Sequence, residues 1–200
     1  MTELAHRYAE GDPAAPVLLL LHGTGGGPDD LLPLAKELSP ASAVLAPAGP
    51  VSENGMARWF RRLAEGVFDY DDVVKRADQL AEFVVAARER YGLGDRRLIA
   101  IGFSNGANIA AALTVLRPDV LTEAILFASM LPVPSPPEHD LSGSRVFLSN
   151  GEQDPMAPLA SNDEFIALLR ARSAEVTSHR HHGCHQITAD GVAAAKNWLR

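Results

Sequence analysis

Basic residues, cysteine and aromatic rings are all scarce in this sequence. Lysine and arginine total 18 against 25 acidic residues, a formal net charge of -7. Such a field repels a phosphate backbone, so nucleic acid is not expected as a partner. The single cysteine, Cys184, cannot close an internal disulfide. The opening stretch MTELAHRYAEGD also lacks the apolar core of a secretory signal. Both features predict a protein of the reducing cytoplasm. The longest aliphatic run, VLLLL at Val17 to Leu21, falls far short of the ~20 apolar residues of a membrane-spanning helix.

What is present suits one folded domain covering 1–200. The chain is 46% hydrophobic and 22% charged, proportions of a globular protein rather than a disordered or fibrous one. Two hundred residues suffice to bury a core without disulfides or metals.

Short apolar runs recur at Val17 to Leu21, Ala43 to Ala46, Arg97 to Ile101, Ala124 to Phe127 and Val146 to Leu148. Each is separated from the next by enough chain for a crossover, which predicts a mostly parallel central sheet. A further strand is expected around Val176. Helices are expected over Asp69 to Tyr91, where Val73, Ala77, Leu80, Val84 and Ala87 recur at helical spacing, and over the alanine-rich Asn105 to Leu116. Two more should cover Leu159 to Arg172 and Asp190 to Leu199. The alternation implies an α/β architecture with helices on both faces and right-handed crossovers.

Two stretches break the alternation, Pro47 to Phe68 and Met130 to Ser144. Both leave the carboxyl ends of expected strands, where open α/β sheets form their ligand crevice. Met56, Trp59, Phe60, Met130 and Leu131 are therefore candidate pocket-wall residues. Trp59 and Phe60 could equally pin a short helix to the core. Arg58, Arg61 and Arg62 could meet an acidic substrate or simply solvate a helix.

Between the expected strand ending near Ile101 and the helix from Asn105, the residues Gly102, Phe103, Ser104, Asn105 and Gly106 spell GxSxG. In that context a serine sits on a tight strand-to-helix turn with its hydroxyl projecting above the sheet. Elsewhere the same pattern could mark a mere helix cap. Serine needs a base to accept its proton and a third group to orient that base. Asp154, in FLSNGEQDPMAP, and His185, in HRHHGCHQ, follow in the chain order Ser, Asp, His expected of such a fold. Glu152, Asp140 and Asp190 are competing acids, but Asp154 precedes Pro155 at a strand end and suits a fixed turn.

His179, His181 and His182 crowd the same region beside Cys184, which raises the question of zinc. No second cysteine or separated HxxxH pair accompanies them, so no metal is expected. The run His22, Gly23, Thr24, Gly25, Gly26, Gly27 follows the first central strand. A dinucleotide fingerprint begun at Gly23 would need a glycine where Pro28 stands, and no GK[ST] ending follows. No cofactor is expected. The amides of Thr24 and Asn105 are instead the candidate donors to a tetrahedral oxyanion.

With these residues together, the chain resembles the small carboxylesterase and phospholipase branch of the α/β-hydrolase superfamily, and also the dienelactone-hydrolase-related proteins and acyl-protein thioesterases. The matching stretches are LLLLHGTGGGPDDLLPLA, APAGPVSENGMARWF, IGFSNGANIA, NGEQDPMAP and GCHQI. The resemblance implies an α/β-hydrolase fold without a large cap domain. It also implies a catalytic Ser104, Asp154 and His185, an oxyanion hole of Thr24 and Asn105, and no cofactor. HGTGGG and GCHQ look like bacterial hydrolases of aromatic-compound metabolism. Ser104 stands where dienelactone hydrolase has cysteine, which favours general ester hydrolysis over enol-lactone specificity. The resemblance further suggests a homodimer and a small-molecule ester substrate. Thioesterase, lysophospholipase, serine peptidase, acyltransferase and a non-catalytic binding protein remain alternatives.

Overall fold

The computed structural model describes residues 3–64 and 66–200. Seven strands form one sheet in the order β1-β3-β2-β8-β9-β10-β11. Within it β2 (Val17–Leu21) pairs in parallel with β3 (Ala43–Pro47) on one side and with β8 (Leu98–Phe103), the middle strand, on the other. The sheet continues in parallel through β9 (Glu123–Phe127), β10 (Arg145–Gly151) and β11 (Glu175–His181). At the far edge β1 (His6–Ala9) runs antiparallel to β3.

The apolar runs form central strands because both faces of the sheet are covered. Along β2 the buried side chains alternate: Val17, Leu19 and Leu21 enter one core, and Leu18 and Leu20 the other. The first core receives α2 (Tyr70–Arg90), α3 (Asn105–Leu116) and α4 (Leu159–Ala171), through residues such as Leu80, Ile109 and Phe165. The second receives α1 (Leu32–Leu38) and α5 (Ala189–Leu199), through Ala35, Leu38, Val192 and Trp198. Two helix starts follow side-chain capping chemistry. Asp69 Oδ1 accepts the Asp72 amide at 3.2 Å to open α2, and Thr188 Oγ1 accepts the Gly191 amide at 3.2 Å to open α5.

The two irregular stretches depart from the alternation in different ways. Pro47 to Phe68 folds into two small antiparallel hairpins. One joins β4 (Val51–Glu53) to β5 (Met56–Arg58), and the other joins β6 (Arg62–Ala64) to β7 (Val67–Phe68). The first turns through Asn54 and Gly55, both with positive φ of 53° and 78°, as a two-residue hairpin connection demands. Residues 128–144, by contrast, contain no helix or strand. Among the described residues no helix is long and apolar enough to cross a membrane.

Candidate active site

Ser104 occupies the turn between β8 and α3 with φ 54° and ψ -118°, a conformation that costs a non-glycine residue on the order of 1–3 kcal/mol. Its surroundings hold it there. The Ser104 amide donates to Phe127 O at 2.9 Å, and Asn108 N closes the first helical turn on Ser104 O at 2.9 Å. A Cβ at Gly106 would lie 1.9 Å from Leu21 O, so only glycine lets α3 approach the end of β2 this closely.

The other two candidate groups arrive from the ends of β10 and β11. Asp154 follows β10 and is fixed by two amides, Met156 N and Ala157 N, which donate to its Oδ1 at 2.8 Å and 3.0 Å. Its Oδ2 thereby faces His185, accepting from Nδ1 at 2.7 Å. On the far side of the ring, Nε2 lies 2.8 Å from Ser104 Oγ. A carboxylate on Nδ1 keeps the proton there and leaves Nε2 free to accept from the serine hydroxyl. The loop carrying His185 packs tightly on the end of β10: a Cβ at Gly151 would meet Gly183 O at 2.3 Å.

Competing acids and histidines lie elsewhere. Glu152 pairs with the exposed His182 at 2.5 Å. Asp140 binds its own loop through Ser142, and Asp190 stands 3.4 Å from His179 Nε2. His179 and His181 lie on β11. Cys184 is exposed. Among the described residues no group of three His, Cys, Asp or Glu side chains converges as a metal set.

The glycine loop after β2 wraps beside Ser104. Its amides at Gly25, Gly26 and Gly27 donate to Ala57 O, Gly23 O and Asp30 Oδ2. The Thr24 amide makes no such bond among the described residues, and the Asn105 amide opens α3, where a helix leaves its first N–H groups unpaired. Both are free to meet a developing negative charge.

His22 anchors the loop from beneath. Gly49 N donates to its Nε2 at 2.9 Å, so the ring proton is on Nδ1, which donates to Gly23 O at 2.7 Å. Burial lowers the pKa of His22 below the ordinary histidine value, only partly opposed by the Gly23 carbonyl and the Asp30 charge. The ring therefore stays neutral, as its acceptor role requires.

Trp59 ties the two donor segments together: its backbone N–H donates to Asn105 Oδ1 at 2.7 Å and its indole Nε1 to His22 O at 2.8 Å. No sequence signal marked this role.

A cleft of about 250 Å³ opens at Ser104. Of the five expected wall residues, Met130 lines it, and Met56, Trp59, Phe60 and Leu131 do not. Trp59 and Phe60 are buried in the core, Met56 lies outward over Gly25, and Leu131 packs against the core. This corrects the expected pocket wall: the hairpins turn the two aromatic rings inward and offer Arg58, Arg62 and Phe68 to the cleft instead. Asn108 also lines it, its Oδ1 accepting from Met130 N at 2.8 Å. Asn108 lies four residues beyond Ser104 on α3, and that helical spacing was the available clue.

Residues 6–200 match the phospholipase/carboxylesterase family. The chain belongs to that family. It is 43% identical to a Bacillus cereus carboxylesterase of known crystal structure, covering 98% of this chain and 93% of that one with a TM-score of 0.95. It is 40% identical to MhqD of Bacillus subtilis (strain 168), over 98% of each chain. A carboxylesterase from Mesorhizobium loti is 28% identical, with a TM-score of 0.91 over 100% of this chain and 96% of that one. These likenesses fix the α/β-hydrolase fold and a hydrolase acting on esters.

Proposed function

We propose that this family member is a serine carboxylesterase that hydrolyses carboxylic esters through an acyl-enzyme. The observation that carries the reading is the unbroken relay from Ser104 Oγ to His185 Nε2 at 2.8 Å and from His185 Nδ1 to Asp154 Oδ2 at 2.7 Å. His185 takes the Ser104 proton as the oxygen attacks the ester carbonyl. The Thr24 and Asn105 amides receive the oxyanion, and preorganised donors of this kind are each worth about 3 kcal/mol of transition-state stabilisation. The imidazolium then protonates the departing alkoxide. Water, activated by the same ring, releases the acid and restores Ser104.

The modest cleft volume supports compact acyl groups over long lipid chains. No cofactor enters any step. An exposed, unpaired Cys184 suits the reducing cytoplasm.

Chromogenic esters of increasing acyl length test the reaction, with Ser104→Ala as control. The native chain should turn over short esters and take a fluorophosphonate label on Ser104, and the variant should do neither. Ester turnover surviving in S104A would overturn the serine mechanism.

A further inference from the structure

We propose that the natural substrate is an ester whose acyl half carries an ionised carboxylate, and that Arg58 is the residue that receives it. The inference rests on the ester-hydrolase reading above and narrows its substrate class. The whole protein has a net charge of -7. Yet the charged residues lining the cleft at Ser104, among the described residues, are Arg58 and Arg62, with no carboxylate. One acid, Glu53, serves both guanidinium groups from behind, at 3.3 Å from Arg58 Nε and 2.7 Å from Arg62 Nε. Among the described residues, two cations against one anion leave a positive charge at the cleft wall.

Arg58 is only 4% exposed, an expensive place for a cation held merely for solubility. Its Nε is used on Phe60 O at 3.3 Å, and one Nη1 hydrogen on Thr24 Oγ1 at 2.9 Å. A guanidinium has five N–H donors in a planar fork, and among the described residues Nη2 has no protein partner. The free donors suit a carboxylate bound through two parallel hydrogen bonds. Burial and the neighbouring Arg62 both lower the Arg58 pKa, whereas Glu53 raises it. A bound anion would oppose both influences by direct attraction to the guanidinium.

The bond to Thr24 places Arg58 on the oxyanion side of Ser104. The leaving oxygen must instead lie toward His185 Nε2, which protonates it. The charged arm therefore belongs to the acyl half of the ester.

Three methyl esters of similar length test the proposal: monomethyl succinate, methyl pentanoate and methyl 4-(trimethylammonio)butanoate, followed by methanol release at low ionic strength. The native enzyme should favour the anionic ester over the neutral one by at least ten-fold in kcat/KM, with the cationic ester poorest. Arg58→Gln should collapse the anionic-over-neutral ratio at least ten-fold, chiefly through KM. A native enzyme that hydrolyses methyl pentanoate as well as monomethyl succinate overturns the proposal and leaves the esterase reading intact. So does an R58Q enzyme with an unchanged ratio. Should R58Q fail to fold, Arg62→Gln must lower the same ratio, and an unchanged ratio there counts against the proposal. If no ester is hydrolysed, the esterase reading fails by itself, and calorimetric titration of the native protein with succinate decides the anion site. Saturable binding supports the site, and its absence overturns it.

Discussion

Replacing Asp154 by asparagine changes one atom, and the surrounding geometry dictates which way the new amide points. Two backbone amides, Met156 N and Ala157 N, donate to Oδ1 at 2.8 Å and 3.0 Å. An asparagine oxygen can keep both bonds. The reverse orientation would set an NH2 group against two N–H donors, at a cost of about 1–3 kcal/mol for each donor left unpaired. The asparagine NH2 therefore faces His185 Nδ1 and donates to it. The ring proton must move to Nε2, where it blocks acceptance of the Ser104 proton. A wrong histidine tautomer of this kind costs serine proteases about 10⁴-fold in kcat, or about 5 kcal/mol. D154N should fold with unchanged thermal stability and lose about that much kcat on a short chromogenic ester.

Asp154→Ala provides the contrast. It imposes no tautomer on His185 but strands the buried Ala157 N–H, so it should be less stable than the native chain by about 1–3 kcal/mol in urea unfolding and more active than D154N. A D154N enzyme within ten-fold of native kcat would refute the reasoning, as would a D154A enzyme slower than D154N.

Three other perturbations bear on the site. Glu152→Gln removes an exposed pair with His182 and should change stability by under about 0.5 kcal/mol, with kcat unchanged on the same ester, separating Glu152 from the relay. Gly106→Ala drives a Cβ to 1.9 Å from Leu21 O and should destabilise by about 3 kcal/mol or more, measured as a lowered urea midpoint and a loss of soluble yield. His22 has a depressed folded pKa, so the unfolded chain takes up a proton first as pH falls. The stability it contributes is complete above the ordinary histidine pKa of ~6.5 and declines below that until the depressed value is passed. Urea unfolding between pH 7 and 4 should show this slope weakened in His22→Asn, and an identical slope in both proteins would contradict the neutral-ring assignment.

The parts of the fold that were legible in the sequence are those buried on two faces. β2 and β8 are continuous apolar runs because helices cover both sides of the sheet. The edge strand β1 reads HRYA with alternating exposure, and its short polar pattern does not distinguish it from a loop. Helix α1 has only seven residues and carries Pro33, too little chain for a periodic signal. The β4–β5 hairpin carries Asn54-Gly55, a strong two-residue turn signal, but it went unread because its three-residue strands hid the flanking pattern. At the site, the meeting of Ser104, Asp154 and His185 was readable because each sits next to a strand end with a local motif. The pocket wall was not. Trp59 and Arg58 are adjacent in sequence, and in an extended segment adjacent residues face opposite ways, so hydrophobicity alone named the inward one as the wall.

The two hydrogen bonds that Trp59 donates, to Asn105 and to His22, divide this protein into parts that can change independently. The residue is a fixed post between two hairpins, and the segments carrying the donors proposed for the oxyanion are braced on it. The hairpins themselves carry Arg58, Arg62 and Phe68 toward the incoming molecule. Exchange of those hairpins between relatives, with the post retained, offers a route to new substrate preferences in which the reaction's electrostatic centre is inherited intact.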